Sequence, residues 1–261
     1  MSERVEIVWR GQPLRLEVER IGDAGSPLPA VVFLHEGLGS VAMWKGFPAA
    51  FCAVHGLAGV AFSRYGYGRS TLKPPGERWA PDFMHEQAFD VLPALLDRLE
   101  IERPWLFGHS DGGSIALLHA SRFDVAGVIA VAPHLFVEDV SIASIELARV
   151  AFETGDLRRG LAKYHDDPDS AFRGWNDAWL SPAFRDWNIE AQIAAVTCPV
   201  LAVQGENDEY GSLDQIRAIA RCLPKTELLV VPSCGHSPHR DQPDILIREA
   251  GRFIHDLSAL H

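Results

Sequence analysis

Six short, unbroken apolar runs, set apart by helical patterns, decide most of what this chain can fold into. They are Ala30-Val31-Val32-Phe33-Leu34, Gly59-Val60-Ala61-Phe62, Trp105-Leu106-Phe107, Val128-Ile129-Ala130-Val131, Val200-Leu201-Ala202-Val203 and Leu228-Leu229-Val230-Val231. A strand that is apolar at odd and even positions alike must be covered on both faces, as in a parallel sheet flanked by helices. Helical periodicity falls at 83–99, 113–121, 213–223 and 245–257. The alternation gives an α/β class with a mostly parallel sheet. Pro93 lies inside the first helical pattern and predicts a kink there. Two alternating runs, 5–9 and 14–18, flank Gly11-Gln12-Pro13 and read as an antiparallel hairpin.

The rhythm breaks once. Residues 135–195 hold no convincing strand and carry Trp175, Trp179 and Trp187 among helical and acidic stretches. A helical insertion accounts for this better than an independent domain: a core of 1–134 and 196–261, with a lid (cap) at 135–195. A chain of 261 residues can build one such core without disulfide or metal staples. Cys52, Cys198, Cys222 and Cys234 make no C-x-x-C pair and no metal-ligand spacing, so reduced thiols and no metal are expected. With 24 basic against 35 acidic side chains, a net charge of −11 and no basic stripe, nucleic acid is excluded as the default partner. The apolar runs are too short to span a membrane, and the opening Met1-Ser2-Glu3-Arg4-Val5-Glu6 has no signal-peptide pattern. A cytoplasmic protein with no membrane partner is expected.

The sharpest chemical signal is Gly108-His109-Ser110-Asp111-Gly112-Gly113, which follows the run at 105–107 and opens the helical pattern Ser114-Ile115-Ala116-Leu117-Leu118. This is G-x-S-x-G in a strand–turn–helix setting, where the turn is too tight for side chains beside the serine. The helix start adds unpaired N–H groups and a positive dipole. A serine needs a base, and the base an orienting acid, arriving in the order Ser, acid, His for this kind of turn. Acidic candidates Glu206, Asp208 and Glu209 follow the run at 200–203, and His236 and His239 follow the run at 228–231. Both loops fall at the carboxyl end of the sheet, where α/β proteins bind ligands.

On His35-Glu36-Gly37-Leu38-Gly39-Ser40, Gly108-His109-Ser110-Asp111-Gly112, Gly205-Glu206-Asn207-Asp208 and Gly235-His236, the chain resembles the α/β-hydrolase superfamily over nearly its whole length. The resemblance implies the α/β-hydrolase fold, a mostly parallel eight-stranded sheet flanked by helices, with the lid inserted after the sixth strand. It implies Ser110 as nucleophile, Asp208 as orienting acid and His236 as general base, then general acid. It also implies an oxyanion hole built from the backbone N–H groups of Gly37 and Asp111. Glu206 and Glu209 are rivals for the acid, as is Asp139 in a variant arrangement, and His239 is a rival base. His109 is expected to fix the turn by packing or hydrogen bonding.

One position departs from the pattern: Glu36 stands where relatives generally carry glycine. Either it turns away to pair with Arg64 or the loop, or it lines the pocket and contacts a polar substrate group or water. The stretch 63–70 has two spaced glycines but lacks the third that a dinucleotide site needs. Arg64 or Arg69 from this stretch is a candidate clamp for a substrate carboxylate. Trp175 and Trp179 join Glu36 and His109 as candidate pocket residues, since tryptophans at a lid–core junction suit an acyl or aryl wall.

The expected activity is that of a serine hydrolase cleaving small carboxylic esters, or thioesters, through an acyl-enzyme and without a cofactor. Two alternatives keep the fold: a carbon–carbon bond hydrolase or lactonase using the same three residues, and a ligand-binding receptor without turnover. The partner is a small-molecule ester or acyl substrate. The sequence leaves room for a homodimer through the lid or an edge strand.

Overall fold

The computed structural model describes residues 2–22, 25, 26, 28–74 and 76–258; Met1 and 259–261, at the ends of the expected core spans, lie outside the described residues. The hairpin forms as its alternation requires. β1 (Glu3–Trp9) pairs antiparallel with β2 (Gln12–Ile21), turning at Arg10 and at Gly11, whose φ is +71°. β3 (Val31–Leu34), α1 (Phe47–His55), β4 (Gly59–Phe62), α2 (Phe83–Glu86) and α3 (Leu92–Leu99) follow. Next come β5 (Trp105–His109), α4 (Asp111–Ala120) and β6 (Gly127–Val131). After the helices α5 (Asp139–Glu153), α6 (Asp156–Leu161), α7 (Pro168–Trp179) and α8 (Glu190–Ile193), the chain re-enters the sheet at β7 (Val200–Gly205). It closes with α9 (Asp214–Cys222), β8 (Thr226–Val231), α10 (Pro238–Asp241) and α11 (Pro243–Ser258).

The eight strands lie in the order β1-β2-β4-β3-β5-β6-β7-β8, parallel from β4 to β8. Strand side chains alternate between faces, and each face has its own core. Val32, Leu34, Leu106, Val128 and Ala130 point to the side of α2, α3 and α4; Val31, Phe33, Phe107, Ile129 and Val131 point to the side of α1 and α11. That is why the runs are continuous rather than alternating. α4 is buried at every position, and its polar side chains are hydrogen-bonded there: Asp111 to Trp179, Ser114 to the His134 carbonyl and His119 to the Ala88 carbonyl.

One helical irregularity falls where Pro93 drew attention and one helix lay outside the sequence reading. A π turn over Gln87–Val91 joins α2 to α3 just before Pro93. Proline lacks an N–H and its ring crowds the carbonyl four residues back, and a widened turn relieves both. α1 was hidden because Phe47, Phe51 and Cys52, its buried face, sit in a stretch with almost no polar residue to mark a period. Residues 135–195 form helices with no strand, only an isolated bridge between Phe136 and Asn188, and pack an aromatic cluster of Trp179, Phe184 and Trp187. His165 from this segment ties two core loops together: its Nδ1 accepts from Gly68 N–H at 2.9 Å and its Nε2–H donates to the Leu38 carbonyl at 2.9 Å.

Candidate active site

Ser110 sits between β5 and α4 at φ +53°, ψ −120°, a conformation most L-residues avoid. The tightness of the turn shows in its glycines. A Cβ on Gly108 would lie 2.1 Å from the Gly112 carbonyl oxygen, and one on Gly112 would lie 2.1 Å from that of Leu34. The strained turn lifts the Ser110 hydroxyl off the sheet edge toward the loops after β7 and β8.

Those loops bring the imidazole and carboxylate that the sequence singled out. Ser110 Oγ lies 3.0 Å from His236 Nε2, and His236 Nδ1 lies 2.8 and 3.0 Å from the two Asp208 oxygens. Asp208 is held from behind by Gln204 Nε2 at 3.0 Å and by the N–H groups of Tyr210 at 2.8 Å and Gly211 at 3.3 Å. Burial would push its carboxyl up, but the hydrogen bond and charge of His236, together with the Tyr210 N–H, outweigh this and hold it below its ordinary value. An acceptor on Nδ1 fixes the proton there and leaves Nε2 free to take one from the serine.

The rival groups are occupied elsewhere. Glu209 accepts from the His236 N–H at 3.1 Å, Glu206 from the Ser233 N–H at 3.3 Å, and Asp139 pairs with Arg185 on the surface. His239 is buried against Trp44 and Phe47. His109 ties the turn to the loop after β8, donating from Nε2 to the His236 carbonyl at 2.7 Å.

The loop after β3 is built around one carbonyl. The Glu36 oxygen accepts from His35 Nδ1 at 2.7 Å, Arg64 Nη2 at 2.8 Å and Gly39 N–H at 3.1 Å. Because a peptide's C=O and N–H point oppositely, anchoring this carbonyl on those three donors turns the Gly37 N–H of the same peptide away from them. Among the described residues neither the Gly37 nor the Asp111 N–H has a protein acceptor. The Trp175 indole covers Gly37 so closely that a Cβ there would be 2.1 Å from Nε1.

Arg64 corrects two expectations. It is fully buried, with Nη1 3.7 Å from the Asp111 carboxylate and Nη2 on the Glu36 carbonyl, so it neither pairs with the Glu36 side chain nor lines the cavity. Arg69 is exposed and outside the cavity. The Glu36 carboxylate lies 3.7 Å from His109 Nδ1 and lines the cavity. Burial would push it up, but His109, with His35 and His239, holds it well below the usual carboxylate range.

Glu36, His109, Trp175 and Trp179 all line one cavity of about 260 Å³ beside Ser110 and His236. Its far wall comes from Ile145, Leu157 and Leu161 of the 135–195 helices. Sequence reading missed Tyr210 and His134. The Tyr210 ring lies 4.7 Å from the His236 ring, and the His134 ring packs edge-on against Trp179. Burial, and then the neighbouring His236, push His134 down to about 3, so it is neutral. Its place at the end of β6, in line with the other site loops, was the available signal.

A profile of the alpha/beta hydrolase family matches residues 31–249. The chain belongs to the alpha/beta hydrolase family. It is 25% identical to the mouse (Mus musculus) sn-1-specific diacylglycerol lipase ABHD11, over 93% of this chain and 86% of that protein. It is 26% identical to 2-succinyl-6-hydroxy-2,4-cyclohexadiene-1-carboxylate synthase of Klebsiella pneumoniae, over 86% of this chain and 94% of that one. A thermophilic esterase from Thermogutta terrifontis superposes with a TM-score of 0.75 at 19% identity, covering 98% of this chain and 99% of the esterase. Among the described residues no helix is long and apolar enough to cross a membrane.

Proposed function

We propose that this family member is a serine hydrolase of small carboxylic esters or thioesters, acting through an acyl-enzyme on Ser110. The observation that carries the reading is the hydrogen-bonded order Ser110 Oγ, His236 Nε2, His236 Nδ1, Asp208, with the serine in a strained turn. In this mechanism Ser110 attacks the acyl carbonyl as His236 takes its proton, and Asp208 stabilises the imidazolium. The oxyanion is held by the N–H groups of Gly37 and Asp111. His236 then gives the proton to the leaving alcohol or thiol and activates the water that releases the acid. No step calls for a cofactor.

Residues 135–195 serve as the lid in this reading, and the small volume behind it sets the substrate. A cavity of about 260 Å³ is below the usual range for drug-sized ligands, which favours short acyl groups over long lipid chains. A panel of p-nitrophenyl esters of increasing chain length, run on wild type and Ser110→Ala, tests this. Turnover of short esters that falls with chain length and vanishes in the variant supports it. The similarity to the Klebsiella synthase favours a second reading, elimination or carbon–carbon cleavage by the same three residues. That reading gains if a folded wild-type protein leaves every ester intact but acts on a ring-derived diketone or a succinyl-bearing ring.

A further inference from the structure

Three carboxylates line the cavity, and two are committed within the protein. Asp111 accepts from Trp179 Nε1 at 3.2 Å and faces Arg64 Nη1 at 3.7 Å, and Glu209 accepts from the His236 N–H. Glu36 differs. Among the described residues its carboxylate has one close side-chain partner, the His109 ring, whose Nδ1 lies 3.7 Å away, beyond a direct hydrogen bond. Its side chain keeps 23% exposure, into the cavity it lines. The loop makes room for it in this position: a Cβ on Gly39 would lie 2.3 Å from Glu36 Oε2. The peptide carrying it is fixed by three donors on the Glu36 carbonyl, so the carboxylate is presented from a rigid base.

A carboxylate offers only acceptor sites, about four lone-pair directions on two oxygens, and a single ring contact at 3.7 Å leaves most of them open to a donor entering the cavity. We propose that Glu36 is a specificity-determining residue: it receives a hydrogen-bond donor, a hydroxyl or an ammonium, carried on the acyl group of a short ester. The inference rests on the esterase reading above and narrows its substrate class. A hydroxyl and an ammonium share the donor chemistry, and the experiment separates them. Arg240, exposed at the cavity's rim, is the one Lys or Arg among its lining residues and defines the competing choice, a substrate carboxylate.

The test uses one short acyl ester in four forms, bearing methyl, hydroxyl, ammonium or carboxylate at the same carbon, with hydrolysis followed by pH-stat. Each enzyme's kcat/KM is expressed relative to its own methyl form. Wild type is expected to favour the hydroxyl or the ammonium form by about ten- to a hundredfold, the range of a hydrogen bond to a charged group. Glu36→Gln keeps an acceptor but not the charge, so it loses an ammonium preference more than a hydroxyl one. Glu36→Ala loses both. The proposal is overturned if wild type ranks methyl first or carboxylate first, or if the donor preference survives in Glu36→Ala. It is also overturned if Glu36→Gln moves the pH profile with the ranking unchanged, since that marks a role through His109. Calorimetric binding of the four forms to Ser110→Ala gives the ranking without turnover. A donor preference there, with no ester hydrolysed by wild type, sinks the esterase reading and leaves only the donor-binding role of Glu36 standing.

Discussion

At Ser110 the backbone and the side chain are one problem, because a hydroxyl can stand clear of the sheet only where the chain adopts φ +53°. The glycines on either side carry that geometry. Gly108→Ala places a methyl 2.1 Å from the Gly112 carbonyl, so we expect a loss of about 3 kcal/mol or more, read as a lower urea midpoint. Asp208→Asn keeps the fold but cannot hold the same His236 tautomer, and kcat should fall by about 10³- to 10⁴-fold with KM little changed. Wild-type-like kcat in that variant would move the orienting role to another acid. These residues were legible because each sits in a local motif at the end of a strand. Tyr210 and His134 were marked only by position, each just after a strand end, and it is packing against His236 and Trp179 that brings their rings to the cavity. Glu36 stood out only as a departure, and its side chain's direction depended on where Arg64 went.

At the scale of elements, the loop after β3 and helix α7 form a single unit. Trp175 lies on Gly37 with no room for a methyl, and His165 holds the Leu38 carbonyl from the same helical segment. Gly37→Ala should therefore lower kcat/KM, by about tenfold or more if it displaces one oxyanion donor. Adding Trp175→Ala should recover part of the loss. Purely additive effects in that double-mutant cycle would contradict the coupling. Strands and most core helices could be read from apolar runs because a two-sided sheet forces them. The helices at 135–195 could be placed but not delimited, since their aromatic residues face one another and the sheet edge at once, which blurs any single period. α1 was lost for want of polar residues, since FPAAFCAVH offers no polar face to set against its buried one.

Across the whole molecule, a set of buried neutral histidines makes stability depend on pH. Burial pushes His119 down to about 4, and His134 and His239 to about 3; His35 and His165 are lowered as well. Each binds its proton more weakly folded than unfolded, so the unfolded chain takes up more protons as pH falls below about 6.5. Their contribution is full above that value and is lost toward the folded values, so the urea midpoint should drop steadily from pH 7 to pH 5. A midpoint that stays flat over that interval would show these rings are not neutral in the fold. The proposed chemistry turns on a covalent bond at one oxygen, Ser110 Oγ. The most direct measurement is a rapid-quench reaction with p-nitrophenyl acetate, followed by peptide mass analysis. We predict a burst of p-nitrophenolate equal to the enzyme present and an acetyl group on Ser110, both absent in Ser110→Ala. Turnover with no acyl group on Ser110, or a burst that persists in Ser110→Ala, would contradict it.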